Sequence, residues 1–321
     1  MRYSRQILFE KIGPENQEKL HKSHVTILGS GALGSRSAEL LTRAGVNSLT
    51  LIDRDIIEES NLHRQTLYTE SDIDSPKVLA AASHLKKINS QLKIQTHLED
   101  LNYKNINKLI SKTDLILDCT DNMDVRFLLN DFCLKNDIPW IYTAIIGSSG
   151  MIFNILPNKT PCLRCLLQEL DQPLDSCDTS GILNTTVSFA SSLQVTEALK
   201  HLTSQSPTPD LLYFDVWKNK LQNIKINKQK SCPSCNQKFS YLSGDKSKEL
   251  VNLCGTSSYQ IHGLPLNLPD LASKLEKLDK IKLTQHCLIF QSLIIFKDGR
   301  VLIKASSPNE AKSLYSKYIG H

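Results

Sequence analysis

The sequence contains little of what marks fibrous, disordered or strongly nucleic-acid-binding proteins. Its 321 residues include only 13 Gly and 12 Pro, and 40% of them are hydrophobic, which excludes a collagen-like repeat and favours a globular fold. Lys and Arg outnumber Asp and Glu by only 38 to 33, a net charge of +5, and a dedicated nucleic-acid binder carries more. At about 150 residues per domain, the length indicates two domains.

The sequence also lacks an apolar run long and pure enough to span a membrane. Two uncharged stretches come nearest, residues 138–156 and 179–196. The first is broken by Pro139 and by a Gly-Ser loop at 147–150, so it predicts two buried strands. The second is rich in Ser and Thr and predicts a buried helix that packs closely against a neighbour or a symmetry mate. We therefore expect no membrane partner.

Nine cysteines are present, an odd number. The first five residues, Met1 to Arg5, are polar, so we expect no secretory signal. An odd cysteine count without such a signal argues against a secreted disulfide framework. It favours a cytoplasmic protein in a reducing compartment, with metal or thiol chemistry.

A nucleotide-binding fingerprint opens the chain. Residues 25–29 form a short apolar run that ends in a glycine turn, and helical periodicity follows from Ser37. The turn reads Gly29-Ser30-Gly31-Ala32-Leu33-Gly34. A second apolar run ends in Asp53, 19 residues after Gly34. This is the βαβ pattern in which a helix N-terminus receives phosphate and a carboxylate receives ribose hydroxyls.

Strand and helix patterns continue to alternate after this unit. Strands are predicted at 93–97, 114–118 and 140–146, with two more between 211 and 227. Such alternation predicts an α/β fold, a Rossmann-like, mostly parallel sheet with flanking helices, and ligands then bind at the carboxyl ends of the strands. Asp53 and Asp121 both follow strands. The first domain is predicted over residues 1–240.

The polar run at 240–248 predicts a linker to a small C-terminal α+β domain, residues 246–321. Helices are expected at 266–278 and 308–318, and strands at 287–296 and 300–304. No motif in this part indicates a role.

A cluster of cations and amides follows the proposed ribose carboxylate. Asp55, Ser60, Asn61, Arg64 and Lys77 lie in one segment of the sequence. The fingerprint alone favours an NAD-dependent oxidoreductase, but that enzyme needs no such cluster. Arg and Lys suit a triphosphate that is attacked at its α-phosphorus. Asp121, with Asn122 beside it, follows another strand and would suit Mg²⁺.

Two C-x-x-C pairs form the second constellation. Cys162 and Cys165 are followed later in the sequence by Cys232 and Cys235. Four thiolates complete a tetrahedral Zn²⁺ site with no open position for catalysis. We therefore predict structural zinc that fastens the end of the domain to the sheet.

These residues together make the chain resemble the MoeB/ThiF/HesA family, prokaryotic relatives of ubiquitin-activating enzymes. The matching pieces occur in family order over about residues 1–238: Arg2-Tyr3-Ser4-Arg5-Gln6, the glycine turn, Asp53-x-Asp55, Ser60-Asn61-Leu62-x-Arg64-Gln65, Lys77, Asp118-x-x-Asp121-Asn122 and both cysteine pairs. The resemblance implies a homodimer that uses ATP and Mg²⁺ to adenylate the C-terminal glycine of a small ubiquitin-like sulfur carrier, with release of pyrophosphate. The carrier would serve molybdopterin or thiazole synthesis, and a sulfurtransferase or cysteine desulfurase would supply sulfur.

The resemblance also assigns roles by position. Arg5 would reach into the partner subunit's site, and Asp121 would hold Mg²⁺. The residues it implies for the nucleotide, with Ala32 in the place of a glycine that many members carry, are Gly29, Gly31, Ala32, Gly34, Asp53, Asp55, Ser60, Asn61, Arg64, Lys77, Asp121 and Asn122. The attacking carboxylate is already ionised at neutral pH, so no general base is required.

Cys177 matches a position where some relatives carry a thiol that captures the activated carrier. Its neighbours Asp175 and Asp178 would raise its thiol pKa, which argues against a strong nucleophile. Cys119, Cys133, Cys254 and Cys287 lie in or beside apolar segments and are expected in the core. Two alternatives to carrier adenylation stay open, an NAD-dependent oxidoreductase and an inactive scaffold that binds the carrier.

Overall fold

A computed structural model describes residues 2–110, 112–167, 181–246, 251–253 and 258–320. The chain divides into two compact units, Met1–Lys246 and Ser247–His321. Each unit has a hydrophobic core of its own. Cys177 and Cys254, two of the cysteines considered above, lie outside the described residues.

The first unit is built on an eight-stranded sheet with the order β3-β2-β1-β4-β5-β6-β7-β8. Pairing is parallel from β3 to β5 and antiparallel from β5 to β8. The strands are β1 (His24–Leu28), β2 (Ser48–Ile52), β3 (Lys93–His97), β4 (Leu115–Asp118), β5 (Trp140–Ile146), β6 (Ser149–Ile155), β7 (Leu211–Asp215) and β8 (Lys220–Ile224).

Helices cover both faces of this sheet. One core lies beneath α3, α4 and α8, and a second core lies beneath α5, α6 and α7 on the opposite face. The helices of the unit are α1 (Ser4–Ile7), α2 (Gly13–Lys22), α3 (Ala32–Ala44), α4 (Lys77–Ile88), α5 (Ile106–Leu109), α6 (Met123–Asn136), α7 (Leu163–Leu166) and α8 (Asn184–Leu202).

The predicted α/β class, with a mostly parallel sheet and flanking helices, is confirmed. The change to antiparallel pairing has a local cause at residues 147–148, which separate β5 from β6. Two residues suffice for a hairpin but not for the crossover that a parallel strand requires, and Gly147 takes the left-handed φ of +57°. The interpretation of 138–156 as two strands is confirmed as well.

The second unit contains a six-stranded antiparallel sheet in the order β11-β12-β13-β14-β10-β9. The predicted single strand at 287–296 is wrong, because Gln291 turns the chain with a φ of +51° and makes a hairpin of β12 and β13. The elements are β9 (Val251–Leu253), β10 (Ser258–His262), α9 (Leu268–Leu275), β11 (Ile281–Leu283), β12 (Cys287–Phe290), β13 (Leu293–Phe296), β14 (Arg300–Lys304) and α10 (Pro308–Tyr318).

Within the described parts of the chain, no helix is both long enough and apolar enough to cross a membrane.

The glycine turn between β1 and α3 is held by close backbone contacts. A Cβ on Gly34 would lie 1.8 Å from the carbonyl oxygen of Gly29, so α3 can approach the turn only because position 34 has no side chain. A Cβ on Gly31 would instead meet only the Gln65 Nε2, at 3.6 Å, an ordinary contact. The two glycines therefore differ in what they contribute to folding.

We expect Gly34→Ala to lower the free energy of unfolding by about 3 kcal/mol, since α3 must move away from the turn. Gly31→Ala is the matched control and should change stability by no more than about 0.5 kcal/mol. Urea unfolding followed by circular dichroism measures both values. Equal losses in the two variants would contradict the close approach at Gly34.

Candidate functional site

The glycine turn lies between the carboxyl ends of β2 and β4. The Gly29 amide donates to the Ile52 carbonyl at 2.8 Å, and a Cβ on Gly29 would lie 2.6 Å from the Cys119 carbonyl oxygen. Gly29 also has a φ of +84°, a left-handed value that favours glycine. The first turn of α3 therefore points its unpaired amides toward this edge of the sheet, where an anion can bind.

Asp53 ties the end of β2 to the glycine turn. One carboxylate oxygen accepts from the Ser30 amide at 2.5 Å, and the other accepts from the Asp55 amide at 2.8 Å. A carboxylate oxygen has two lone pairs, so each retains acceptor capacity for a hydroxyl. The predicted ribose carboxylate is thus fixed against the turn on which phosphates would lie.

The segment between Asp55 and Lys77 folds back on itself and covers the turn. Ile56 and Pro76 form an isolated antiparallel bridge at its base. At its tip, the Tyr68 hydroxyl donates to the Ser30 carbonyl at 2.7 Å. We name residues 56–76 the covering loop. It brings residues that are distant in sequence onto the glycine turn.

Lys77 is a buried cation whose charge acts on the proposed ribose carboxylate, Asp53. Its Nζ donates to Asp55 at 3.1 Å, and the side chain is only 10% exposed. Burial alone would disfavour the ammonium ion, but Asp55, Asp53 and Asp121 outweigh burial and raise the pKa of Lys77 above its ordinary value. Lys77 is therefore charged at neutral pH.

Arg54 adds a second buried cation between the ends of β2 and β3. Its guanidinium donates to Asp100 at 2.6 Å and lies 3.8 Å from Asp55. The negative charge of Asp121 also helps to stabilise the charged form of Arg54. Cations and carboxylates therefore lie close to one another along this edge of the sheet. Asp121 itself is exposed, open to a ligand that enters from solvent.

Asp118 and Arg126 form a fully buried ion pair behind Asp121. Arg126 Nε lies 3.0 Å from the Asp118 carboxylate, and its Nη2 donates to the carbonyls of both Thr120 and Thr143. Burial raises the pKa of the Asp118 carboxyl despite the neighbouring guanidinium. The pair holds the loop from β4 to α6, which carries Asp121, at fixed distance from the sheet.

Two polar atoms at the turn fit a bound ligand. Ser30 Oγ and Gln65 Oε1 are buried and have no hydrogen-bond partner among the described residues. Buried polar atoms are normally paired, since an unpaired one costs free energy. Together with Lys77 and the Asp53 carboxylate, they supply the donors and acceptors that a nucleotide requires.

The other predicted nucleotide residues lie in the covering loop or beside α6. A short 3-10 turn, Glu59–Asn61, brings Ser60, Asn61 and Arg64 together, and Arg64 donates to the Ser60 carbonyl at 2.8 Å. Asn122 caps α6 by accepting from the amides of Asp124 and Val125. Its side chain is thereby engaged in helix formation.

Arg5 lies away from this site in its own chain. Its neighbour Gln6 donates to the Ala44 carbonyl at 2.7 Å, and Ala44 ends α3, whereas the glycine turn begins it. The 13 residues of α3 span about 20 Å at 1.5 Å per residue. Arg5 is exposed, so it is presented outward and not toward the turn of its own chain.

The four predicted zinc ligands converge although 66 residues lie between the two pairs. All four sulfur atoms lie within 4.8 Å of one another, and four of the Sγ–Sγ distances fall between 3.5 and 3.9 Å. A tetrahedron with Zn–S bonds of about 2.3 Å has S–S edges of about 3.8 Å. Burial and the neighbouring thiols raise the pKa of Cys162, so a cation is what would stabilise four thiolates here. The cluster fits zinc.

The remaining cysteines of the described residues agree with the sequence-based expectation. Cys119, Cys133 and Cys287 are buried, and burial raises the pKa of the Cys119 and Cys133 thiols far above the ordinary value. These thiols are protonated core residues.

Several residues of the site were not singled out from the sequence. Arg54 stood inside the Asp53-x-Asp55 motif, and Gln65 stood beside Arg64, but neither received a role. Arg126 follows Asn122 by one helical turn, a spacing that could have identified it. No sequence pattern pointed to Gln194 of α8. Its side chain nevertheless accepts from the Ser37 hydroxyl at 2.8 Å and donates to the Asp118 carbonyl at 3.1 Å.

Comparison with known proteins gives consistent matches. Residues 3–234 match the model of the ThiF family. The chain is 40% identical over 333 aligned positions to the sulfur carrier protein ThiS adenylyltransferase of Bacillus subtilis, with 99% of each chain covered. It is 34% identical to the protein of that name from Escherichia coli, over 73% of this chain and 94% of the relative. It is 33% identical to the adenylyltransferase and sulfurtransferase MOCS3 of Xenopus laevis, over 73% of this chain and 53% of the relative.

A solved structure supports the fold. The crystal structure of E. coli MccB with ATP superposes with a TM-score of 0.65 at 22% identity and covers 74% of this chain and 75% of that chain. At that identity the likeness concerns the fold alone.

The buried Asp118–Arg126 pair predicts strongly coupled substitutions. We expect Arg126→Met to lower the free energy of unfolding by about 3–5 kcal/mol, because it leaves the Asp118 carboxylate buried without its partner. Adding Asp118→Asn to that variant should give a loss smaller than the sum of the single losses by about 1–3 kcal/mol. Urea denaturation of the two single variants and the double variant measures this coupling.

Arg43→Met is the matched control, because Arg43 pairs with Glu39 and its side chain is 57% exposed. It should cost less than about 1 kcal/mol. Additive losses at positions 118 and 126 would mean that the pair does not act as a unit.

Proposed function

Because the chain belongs to the ThiF family, we propose that it is an ATP-dependent adenylyltransferase that acts on the C-terminal carboxylate of a small sulfur-carrier protein. The geometric observation that carries this proposal is the link from the glycine turn to Lys77: Asp53 accepts from the Ser30 and Asp55 amides, and Lys77 donates to the Asp55 carboxylate. A ribose acceptor and a phosphate cation at one helix N-terminus suit a nucleoside triphosphate. The names of the relatives give no support to an oxidoreductase.

The reaction needs positioning and charge neutralisation more than proton transfer. A carboxylate oxygen of the carrier attacks the α-phosphorus, a new P–O bond forms, and the bond to the β-phosphate oxygen breaks, so that pyrophosphate leaves. The nucleophile is ionised at neutral pH, and no base is required. Lys77 and Arg64 would neutralise the phosphate oxygens, where charge develops as pyrophosphate departs.

Lys77 would change partner when ATP binds. In this structure its ammonium group is paired with Asp55 at 3.1 Å, and a phosphate of ATP offers another anionic partner. Asp55 would then be released toward the cation that accompanies ATP. Asp121, exposed at the mouth of the site, would hold Mg²⁺, which neutralises charge on the phosphates when bound.

The four-cysteine cluster would hold a structural zinc ion. All four ligands are thiolates from the chain, so no position remains for a substrate and the metal takes no part in the adenylation. A reducing compartment such as the cytoplasm would keep these thiols available to zinc.

The carrier is proposed to be of the ThiS type. The relative from B. subtilis that carries this name aligns with 99% of this chain, including residues outside the family model. A carrier of the molybdopterin pathway is the alternative that the experiment below distinguishes.

If Arg5 acts in the partner subunit, each of the two active sites of a homodimer would need residues of both subunits. Within one chain, the α1 helix is fastened to the end of α3 opposite the glycine turn, so Arg5 lies outside its own site. Leu8 and Phe9, beside Arg5, are 74% and 59% exposed, apolar surface that an interface would cover.

Pyrophosphate exchange tests the proposed reaction. With ATP, Mg²⁺ and a purified ThiS-type carrier that ends in Gly-Gly, labelled pyrophosphate should enter ATP only when the carrier is present. Lys77→Met should lower kcat/KM at least about 100-fold. Lys86→Met, an exposed position on the same helix, is the matched control and should leave the rate unchanged.

Other outcomes select among the alternatives. Exchange with a molybdopterin-type carrier alone would reassign the pathway. Tight NADH binding without ATP binding would favour the oxidoreductase. Carrier binding with no exchange for any carrier would identify an inactive scaffold.

Subunit complementation tests the role of Arg5. We expect the Arg5→Ala and Asp121→Asn variants each to be inactive. When the two are mixed 1:1 and their subunits exchange, about half of the dimers are hybrids, and each hybrid has one intact site. The mixture should therefore recover about one quarter of wild-type activity. If Arg5 acted within its own chain, both sites of the hybrid would be inactive and the mixture would show no recovery.

A further inference from the structure

Helix α6 carries residues of both centres of the first unit. Its N-terminus is capped by Asn122, the residue after Asp121. Arg126, one turn later, donates to Asp118 and Thr120 of the preceding segment and to Thr143 of β5. The first turns of α6 therefore determine where Asp121 lies.

Two side chains further along the same helix bond to residues that lie within the two C-x-x-C motifs. Asn130, four residues after Arg126 and fully buried, accepts at 2.9 Å from the Leu163 amide, directly after Cys162. Asp131, also fully buried, accepts from Ser234 Oγ at 2.6 Å, between Cys232 and Cys235 in sequence. One helix thus fastens both halves of the cluster, which approach it from different parts of the chain.

Asp131 makes a further bond beyond the cysteines. Its second oxygen accepts from the Tyr241 amide at 3.0 Å, so the chain that follows Cys235 is also fixed to α6. No ion is required for these bonds to form, yet a bound metal would fix all four sulfur atoms relative to the same helix. Because the side chains of Asn130 and Asp131 are buried and closely packed, a displacement of the sulfur atoms would also displace α6.

We propose that Asn130 and Asp131 are positioning residues that couple the metal cluster to the nucleotide site through α6. Metal binding at the cysteines and ATP binding at the glycine turn then favour the same position of α6, and each strengthens the other. Coupling of this kind is reciprocal: the factor by which zinc raises the affinity for ATP equals the factor by which ATP raises the affinity for zinc. The inference rests on the proposed nucleotide and zinc sites, but not on the identity of the carrier or on its adenylation.

The first measurement concerns metal retention in the full chain. Zinc-loaded protein is titrated with a chromogenic chelator of known zinc affinity, and no carrier or turnover is involved. We expect Asp131→Ala to weaken zinc binding by about 10-fold or more, and Ser234→Ala, which removes only one of the two bonds, to weaken it less. Glu197→Ala is the matched control, a buried carboxylate on α8 that accepts from Asn154 at 2.8 Å and the Thr208 amide at 2.6 Å.

The control separates a loss of general stability from a loss of positioning. Glu197→Ala should lower the thermal midpoint of the protein and leave its zinc affinity unchanged. If Asp131→Ala retains zinc as the wild type does, or if Glu197→Ala loses zinc equally, the proposed role of Asp131 is wrong.

The second measurement concerns the coupling. In wild-type protein, saturating ATP with Mg²⁺ should raise the zinc affinity by about 5-fold or more, and zinc should lower the Kd for ATP by the same factor. In Ser234→Ala, which keeps most of the contacts, saturation with zinc should lower the Kd for ATP by a smaller factor than in the wild type. Equal zinc affinity with and without ATP would overturn the coupling. A protein that binds no ATP at all would refute the proposed function and the coupling together, while the zinc titrations would still decide the role of Asp131.

Discussion

Several carboxylates gather at one edge of the sheet, and the cations held beside them organise this part of the first unit. Asp55, Asp100 and Asp118 each have a cation within 3.1 Å, supplied by Lys77, Arg54 and Arg126 respectively. The partners come from different elements: the segment after β2 pairs with α4 and with the loop after β3, and β4 pairs with α6. Ion pairing therefore joins the ends of three strands to two helices. Since the desolvation of each charge is costly, each buried charge needs its partner and further hydrogen bonds to stay in place.

The cations of this edge differ in how fully they are engaged. Arg126 donates to a carboxylate and two backbone carbonyls, so moving it would leave several buried groups unpaired. Lys77 bonds to a carboxylate that is itself 36% exposed, so exchanging this carboxylate for a phosphate costs little. A guanidinium that already makes several hydrogen bonds is suited to holding a loop in place, whereas an ammonium group at the end of a flexible side chain is suited to binding a ligand. The distinction follows from donor geometry and burial, and it separates framework residues from residues that are positioned to bind.

Local patterns predicted the glycine turn, most strands and both cysteine pairs, because these depend on neighbouring residues in the sequence. Gly29 and Gly34 are required by the backbone contacts that the βαβ pattern implies, and the four cysteines are identified by spacing alone. Long-range contacts were not predictable in this way. Gln194 reaches Asp118 from a helix that begins 66 residues later, and its polar side chain resembled many others in that stretch. The hairpin at Gln291 was missed because a non-glycine residue takes the left-handed conformation there. The proposed roles at the nucleotide site rest on family resemblance, and the structure adds where the side chains lie.

Chain lengths among the relatives indicate which part of the protein the family chemistry requires. The E. coli relative is matched over 94% of its own length by 73% of this chain, so no segment the size of residues 247–321 remains in it. The family model likewise ends at residue 234, within the first unit. The B. subtilis relative, in contrast, aligns with 99% of this chain and shares the second unit. That unit buries Leu288, Phe290 and Ile303 in a core of its own. The residues proposed to bind the nucleotide and the four clustered cysteines all lie in the first unit, so the second unit contributes none of them.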